Sequence, residues 1–289
     1  MSTFSPDEAS ACRRLIDLAI AEDLGPTGDR TSLATLPVTA LGTTAFVARS
    51  PGILAGLPAA AMVAHAIDTA LSFTVIVGDG SRVAPRTMLA TISGSLRSIL
   101  AAERTALNFL QRLSGVASLT GKFVEAIAGT RAKILDTRKT TPGWRLLEKY
   151  AVRMGGGTNH RLGLYDGILI KDNHLAGLGG DIRKAIETAR AFPGNQGLPI
   201  EVEVDNLQQL EIALAMQADI VLLDNMNNVQ LRSAVALRNA VAPGVLLEAS
   251  GGVNLATVGE IAATGVDRIS VGALTHSAPA LDIALDYLS

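Results

Sequence analysis

Cysteine occurs once among the 289 residues, at Cys12, so no internal disulfide can form and a reducing compartment is expected. Cys12 falls in a predicted helix beside Arg13 and Arg14 and reads as an inert or surface thiol. Aromatic residues make up only 3% of a chain that is 48% hydrophobic, so Ala, Val, Leu and Ile must fill the interior. That mix suits helices on a parallel sheet better than a sandwich of aromatic-rich strands. No apolar run reaches the ~18 residues of a membrane span. The N-terminal MSTFSPDEASACRR has acidic residues and no apolar stretch, so no signal peptide is expected and the chain reads as cytoplasmic. A net charge of −2, with no basic stripe interleaved with aromatics, argues against nucleic acid as a partner. The four histidines, at 65, 160, 174 and 276, form no H-x-H or H-x-x-x-H pair, which makes a zinc site improbable. Neither G-x-G-x-x-G after a strand nor G-x-x-x-x-G-K-[ST] is present, which excludes the dinucleotide and P-loop fingerprints.

Charge is unevenly spread. Between Arg131 and Lys171 lie nine basic residues against Asp136, Glu148 and Asp166, a local +6 inside a chain of −2. Arg131, Lys149 and Arg153 read as solvated helix faces, whereas the others lie beside turns and glycines, as a small anionic ligand requires. Residues 8–24 have helical spacing, and β-like runs TTAFVARS, SFTVIVGDG and MLATISG follow around a helical stretch, LPAAAMVAHAIDTA. His65 on that stretch is expected to be a packed side chain. A long helical region spans 96–128, with a break expected near Ser114-Gly115.

The rhythm then changes. Strand-like runs at 132–136, 167–171, 200–205, 219–224, 245–250 and 268–272 alternate with helical segments at 143–155, 181–192, 206–217, 227–241, 254–264 and 278–288. Such β-α repetition predicts a parallel sheet with right-handed crossovers. Polar residues or glycines close every run, and chemistry drawn from all strand ends favours a closed or nearly closed barrel over a doubly wound sheet. Glu201 and Glu203 share one face of a strand while Val202 and Val204 share the other. Both carboxylates are expected to point into the barrel, Glu201 as a structural partner of Lys139 or Lys171, Glu203 as a functional group. Asp224 ends the next strand, and carboxylates on adjacent strand ends suit Mg²⁺ held through water and substrate oxygens. Ser250-Gly251-Gly252 and Gly272 follow the last two strands, where backbone N–H groups commonly hold phosphate. His160-Arg161, after three glycines, reads as a carboxylate clamp.

At this point the motifs converge. Asp136-Thr137-Arg138-Lys139-Thr140-Thr141-Pro142-Gly143, Glu148-Lys149-Tyr150-Ala151-Val152, Asn159-His160-Arg161 and Lys171-Asp172-Asn173-His174 resemble the signature of quinolinate phosphoribosyltransferases. So do Glu103-Arg104-Thr105-Ala106-Leu107-Asn108 upstream and Glu201-Val202-Glu203-Val204, Leu223-Asp224-Asn225 and Glu248-Ala249-Ser250-Gly251-Gly252 downstream. The resemblance runs from about residue 17 onward, with no departure at a position the family uses.

It implies an N-terminal open α/β sandwich over 1–112 and an incomplete, six-stranded α/β barrel over 113–289, to whose partner domain the C-terminal end returns. The implied reaction joins quinolinate to phosphoribosyl pyrophosphate, giving nicotinate mononucleotide, CO₂ and diphosphate in NAD biosynthesis, with Mg²⁺. Arg104, Thr137, Arg138, His160, Arg161 and Lys171 are implied quinolinate ligands. Lys139, Lys171, Glu203, Asp224, Ser250, Gly251, Gly252 and Gly272 are implied for phosphoribosyl pyrophosphate, with Lys139, Glu203 and Asp224 catalytic and Glu203 and Asp224 toward the metal. A homodimer is implied in which Arg104 enters the partner's site. The rival readings are a non-catalytic or altered-specificity relative of the same fold, such as a molybdenum-transport-associated one, a nicotinate phosphoribosyltransferase, or a Schiff-base aldolase using Lys171. A changed clamp would mark the first; the basic clamp and nearby carboxylates keep Lys171 protonated, against the last.

Overall fold

A computed structural model describes residues 4–195 and 197–288. From the N-terminus the elements run α1 (Pro6–Leu24), α2 (Arg30–Thr35), β1 (Leu41–Ala48), β2 (Gly52–Ile53), α3 (Leu57–Ile67), β3 (Ser72–Val75), β4 (Arg82–Val83), β5 (Met88–Ser95) and α4 (Leu96–Ala126). Then come β6 (Lys133–Leu135), α5 (Arg145–Met154), β7 (Ile168–Ile170), α6 (Asp172–Ala176), α7 (Ile182–Ala191), β8 (Ile200–Val204) and α8 (Leu207–Ala215). The chain closes with β9 (Ile220–Asp224), α9 (Asn228–Val241), β10 (Leu246–Ser250), α10 (Val258–Ala262), β11 (Arg268–Ser270), α11 (Ala273–His276) and β12 (Ile283–Leu288). Two compact units form. One holds the residues up to Gly121, Thr140–Gly156 and the residues from Leu274 on; the other holds Lys122–Lys139 and Gly157–Ala273. Among the described residues, no helix is long and apolar enough to cross a membrane.

The first unit is built on an antiparallel sheet of order β12-β1-β5-β3, with β2 and β4 paired separately. Its last strand corrects the helix expected at 278–288. Leu281, Ile283, Leu285 and Tyr287 satisfy a period of two, and the same run also fits a helical stripe. The free edge of β1 decides the matter, pairing Thr43 with Leu288 through Ala48 with Ile283. The break expected near Ser114-Gly115 is also absent, because α4 runs unbroken through them. Gly115 serves close approach instead: a Cβ there would lie 2.1 Å from the Pro279 carbonyl oxygen. Ser114 Oγ bonds both the N–H and the carbonyl of Ala55, each at 3.0 Å, so this helix face is pinned to the strand region it crosses. Two side chains differ from expectation, and the structure decides between the two readings of a third. His65 is exposed, on the face of α3 opposite the buried Ala60, Val63 and Ala64. Lys149 is fully buried in α5, which buries both sides of its middle turn from Leu147 to Val152. Cys12 is buried, and desolvation pushes its thiol up to about 12, so it is inert rather than a surface nucleophile.

The second unit is the six-stranded parallel sheet β6-β11-β10-β9-β8-β7. Strands β7 to β11 are neighbours in chain order and β6 joins the far edge beside β11, the order of a barrel wound in one direction. A doubly wound sheet would reverse direction midway. No strand pair closes β6 on β7 among the described residues, so the barrel is incomplete. Beyond β6 the chain at Thr158 makes a parallel bridge to Leu135, with the Thr158 N–H donating to Ile134 at 2.8 Å. At the N-terminal ends of the strands, aspartates staple neighbours. Asp219 accepts the Ile200 N–H at 2.7 Å and Asp267 the Leu247 N–H at 2.8 Å.

Asp267 also holds Arg238 Nη1 at 2.7 Å, a guanidinium whose residue is only 2% exposed. Removing one partner of a buried ion pair strands the other charge, at a cost of ~3–5 kcal/mol. Asp267→Ala is therefore expected to lower the urea midpoint strongly while leaving turnover per folded molecule intact, since Asp267 lies at the end of the strands away from the candidate site. A variant as stable as the parent would show that Arg238 finds its compensation elsewhere.

Candidate active site

Each barrel strand delivers polar groups at its C-terminal end, where the backbone leaves the ladder and side chains face a shared mouth. Past β6, Asp136 is fully buried and accepts the His160 N–H at 2.9 Å and the Asn159 side-chain amide at 2.6 Å. It thereby ties the chain leaving the glycine run to the end of β6. Asp166 makes the next turn by accepting the Leu162 N–H at 2.6 Å and the Gly163 N–H at 2.8 Å. Arg161 lies between these two staples, and its Nη1 donates to the Gly167 carbonyl at 3.0 Å. Burial and then the neighbouring Arg138 charge lower the Arg161 pKa, against Glu201 and Asp166. Two cations close enough to repel one another in a partly buried site are poised for an anion, which would relieve both.

His160 sits above a buried group. Its Nδ1 accepts the Arg161 N–H at 2.7 Å, and its Nε2 lies 3.1 Å from Glu201 Oε2 and 3.5 Å from Glu248 Oε1. Glu248 Oε2 accepts Arg268 Nε at 2.7 Å. Glu201 is therefore a partner of His160, not of Lys139 or Lys171 as expected. Lys171 Nζ bonds the neighbouring inward carboxylate, Glu203. The two glutamates do share the inner face of β8, as their spacing required, but register against β7 and β9 sends them to different partners.

Burial acts most on the His160 ring and disfavours its charge, but the hydrogen bond to Glu201 and the charges of Glu248 and Glu201 outweigh it, leaving the pKa above its ordinary 6.5. Glu248 is raised above its ordinary 4.5, chiefly by burial and next by the Glu201 charge, with His160 and Arg268 opposing. A raised folded pKa means the folded chain keeps a proton that the unfolded chain releases, so this contribution is fully present below 4.5 and is lost as pH rises above it. Unfolding followed as pH rises from 4.5 is expected to show the parent losing stability more steeply than Glu248→Gln, which cannot ionise. Parallel profiles would contradict this.

Further round the barrel, Asp224 accepts the Asn225 side-chain amide at 2.6 Å, and the Asn225 N–H donates to the Ser250 carbonyl at 2.9 Å. The turns after β9 and β10 are thus locked together. Gly251, at φ +101, leaves no room for a side chain, since a Cβ would lie 2.1 Å from Asn225 Oδ1. Gly251 and Gly252 are exposed with left-handed backbones, and Gly272 follows β11. Thr137 Oγ1 accepts the Lys139 N–H at 3.0 Å, and Lys139 is exposed. Thr137, Arg138, Lys139, His160, Arg161, Lys171, Glu203, Asp224, Ser250, Gly251, Gly252 and Gly272 all belong to the barrel unit; Arg104 is exposed on α4, in the other unit. Glu248, Arg268 and Asp136 had no assigned role in the sequence reading. The inward parity of Glu248 in β10 was the one signal that could have found it.

An incomplete parallel barrel whose mouth gathers cations, carboxylates and glycine turns defines an α/β-barrel enzyme for a small polyanionic substrate. Family models for the N-terminal and C-terminal domains of quinolinate phosphoribosyl transferase match residues 29–114 and 116–286, and the chain belongs to this family. It is 46% identical over 281 residues to a nicotinate-nucleotide pyrophosphorylase [carboxylating] of Mycobacterium leprae, covering 96% of this chain and 98% of that protein. It is 44% identical to a probable nicotinate-nucleotide pyrophosphorylase of Synechocystis, over 93% of this chain and 90% of that one. The structure of the nicotinate-nucleotide pyrophosphorylase from Francisella tularensis superposes with a TM-score of 0.91 at 40% identity, covering 99% and 98% of the two chains.

Proposed function

We infer that this chain is a decarboxylating phosphoribosyltransferase that converts quinolinate and phosphoribosyl pyrophosphate to nicotinate mononucleotide, CO₂ and diphosphate, a step of NAD biosynthesis. The observation that carries the reading is the Arg138–Arg161 pair, two mutually repelling cations in the barrel mouth of a family member. A dicarboxylate answers that charge. Arg138, Arg161 and Lys171 take the quinolinate carboxylates, with Thr137 and His160 beside them and Arg104 supplied by the partner of a homodimer. Backbone N–H groups of the turns at Gly251, Gly252 and Gly272, with Ser250, hold the 5′-phosphate. Lys139 and Lys171 face the diphosphate.

The quinolinate nitrogen forms a bond to C1 of the ribose as the C1–O bond to diphosphate breaks, the electron pair leaving with diphosphate. Glu203 and Asp224 stabilise the positive charge that develops on the ribose. The C2–carboxylate bond then breaks; its electron pair stays at C2, stabilised by the adjacent pyridinium nitrogen, and is protonated there as CO₂ leaves. Glu203 and Asp224 also fit Mg²⁺. They are oxygen ligands from adjacent strands, on the same face of the sheet, and two carboxylates suffice for an ion that keeps waters and substrate phosphates in its shell. Bound there, Mg²⁺ would neutralise diphosphate charge.

The test is direct. Protein, Mg²⁺ and phosphoribosyl pyrophosphate are mixed with quinolinate or with nicotinate, and CO₂ and mononucleotide are measured. Equal amounts of both products from quinolinate, and none from nicotinate, are expected. Mononucleotide from nicotinate alone would overturn the reading.

A further inference from the structure

His160 spends both ring nitrogens inside the protein. Nδ1 accepts the Arg161 N–H at 2.7 Å, which needs its lone pair, so the Nε2 proton faces Glu201 at 3.1 Å. Glu201 comes from β8, Glu248 from β10 and Arg268 from β11, so one ring is anchored to three strands while its own backbone hangs from Asp136 beyond β6. Two buried carboxylate oxygens, Glu201 Oε1 and Glu248 Oε1, have no hydrogen bond. An arrangement that leaves them so is a poor device for stability. What it does accomplish is to fix the ring that holds the Arg161 backbone.

We propose that Glu201, backed by Glu248 and Arg268, is a positioning residue that acts through His160 to hold the Arg161 backbone and so aims its guanidinium at a substrate carboxylate. This deepens the quinolinate reading and rests on it. Ring and carboxylates together replace the hydrogen bonds that the irregular chain between α5 and β7 lacks in a ladder, and a small displacement there is multiplied along the arginine side chain. The ligand atoms of His160, Glu201 and Glu248 also lie within 4.8 Å of one another, which raises a divalent metal as the rival occupant. Arg268 on Glu248 and the proton on Nε2 speak against it, since a metal would have to displace both.

Glu201→Met and Glu201→Gln separate these roles. Methionine matches the volume without a charge, and such replacements of buried ions are often neutral or stabilising, so the fold is expected to survive. The quinolinate KM of Glu201→Met is expected to rise roughly 10- to 100-fold, the usual scale for loss of a supporting shell, with the phosphoribosyl pyrophosphate KM within about twofold of the parent. Glu201→Gln, whose amide oxygen still accepts from Nε2, should return the quinolinate KM close to the parent. Equal rises in both KM values, or a glutamine variant no better than methionine, would overturn the proposal. So would tight one-to-one Zn²⁺ binding by the metal-stripped parent that Glu201→Met abolishes. If the parent itself turns over no quinolinate, the functional reading fails and crystal structures decide positioning: an Arg161 side chain unmoved in Glu201→Met refutes it, a displaced one supports it.

Discussion

Replacing Arg161 with alanine is expected to weaken quinolinate binding by ~2–5 kcal/mol, roughly 30-fold to several thousand-fold, while phosphoribosyl pyrophosphate binding stays near the parent value. Arg161 is half-buried and already ordered by Gly167, so little conformational freedom is lost when a carboxylate arrives. Its neighbour Arg138 repels it in the free protein, and a bound dicarboxylate converts that repulsion into two attractions. Deleting either arginine leaves a carboxylate facing a partly desolvated site without its fork. Lysine in the same place should rescue only part of the loss, because a point charge cannot form two parallel bonds. Titration calorimetry with each substrate separately is the measurement. Equal losses for the two, with the fold intact by circular dichroism, would remove Arg161 from the carboxylate clamp.

The barrel was legible because each of its strands is a short apolar run ending in polar residues, and because helical spacing returns between them. The inward direction of Glu201 and Glu203 was legible from a period of two. Their partners were not. Whether Lys171 meets one or the other depends on how β7 registers against β8, and the His160–Glu201–Glu248–Arg268 group joins residues from 160 to 268 that no local pattern connects. Local pattern also misled where one segment suited two structures. Residues 278–288 fit a helix as well as a strand, and only the open edge of β1 selects the strand. Gly115 has the composition of a helix break, but its missing side chain answers the Pro279 carbonyl, a neighbour 164 positions away in the chain. His65 and Lys149 were misplaced for a related reason: which face of a short helix is buried is set by what packs on it.

Arg104→Ala and Lys139→Ala chains are each expected to be nearly inactive alone, and a mixture of the two is expected to recover activity. In the proposed homodimer every contact across the two-fold occurs twice, so each site takes Arg104 from the other chain. A mixed dimer then has one whole site: the barrel of the Arg104→Ala chain keeps its own Lys139 and borrows the partner's intact arginine. Its other site lacks both side chains. Random pairing of equal amounts makes about half the dimers mixed, so roughly a quarter of all sites should recover. If Arg104 served the barrel of its own chain, no pairing could rebuild a whole site. The experiment needs subunit exchange through reversible dissociation, confirmed with differently tagged chains. Zero activity after confirmed exchange would show that the site is not shared through this arginine, whereas recovery near one quarter requires both the dimer and the crossing of Arg104 between its halves.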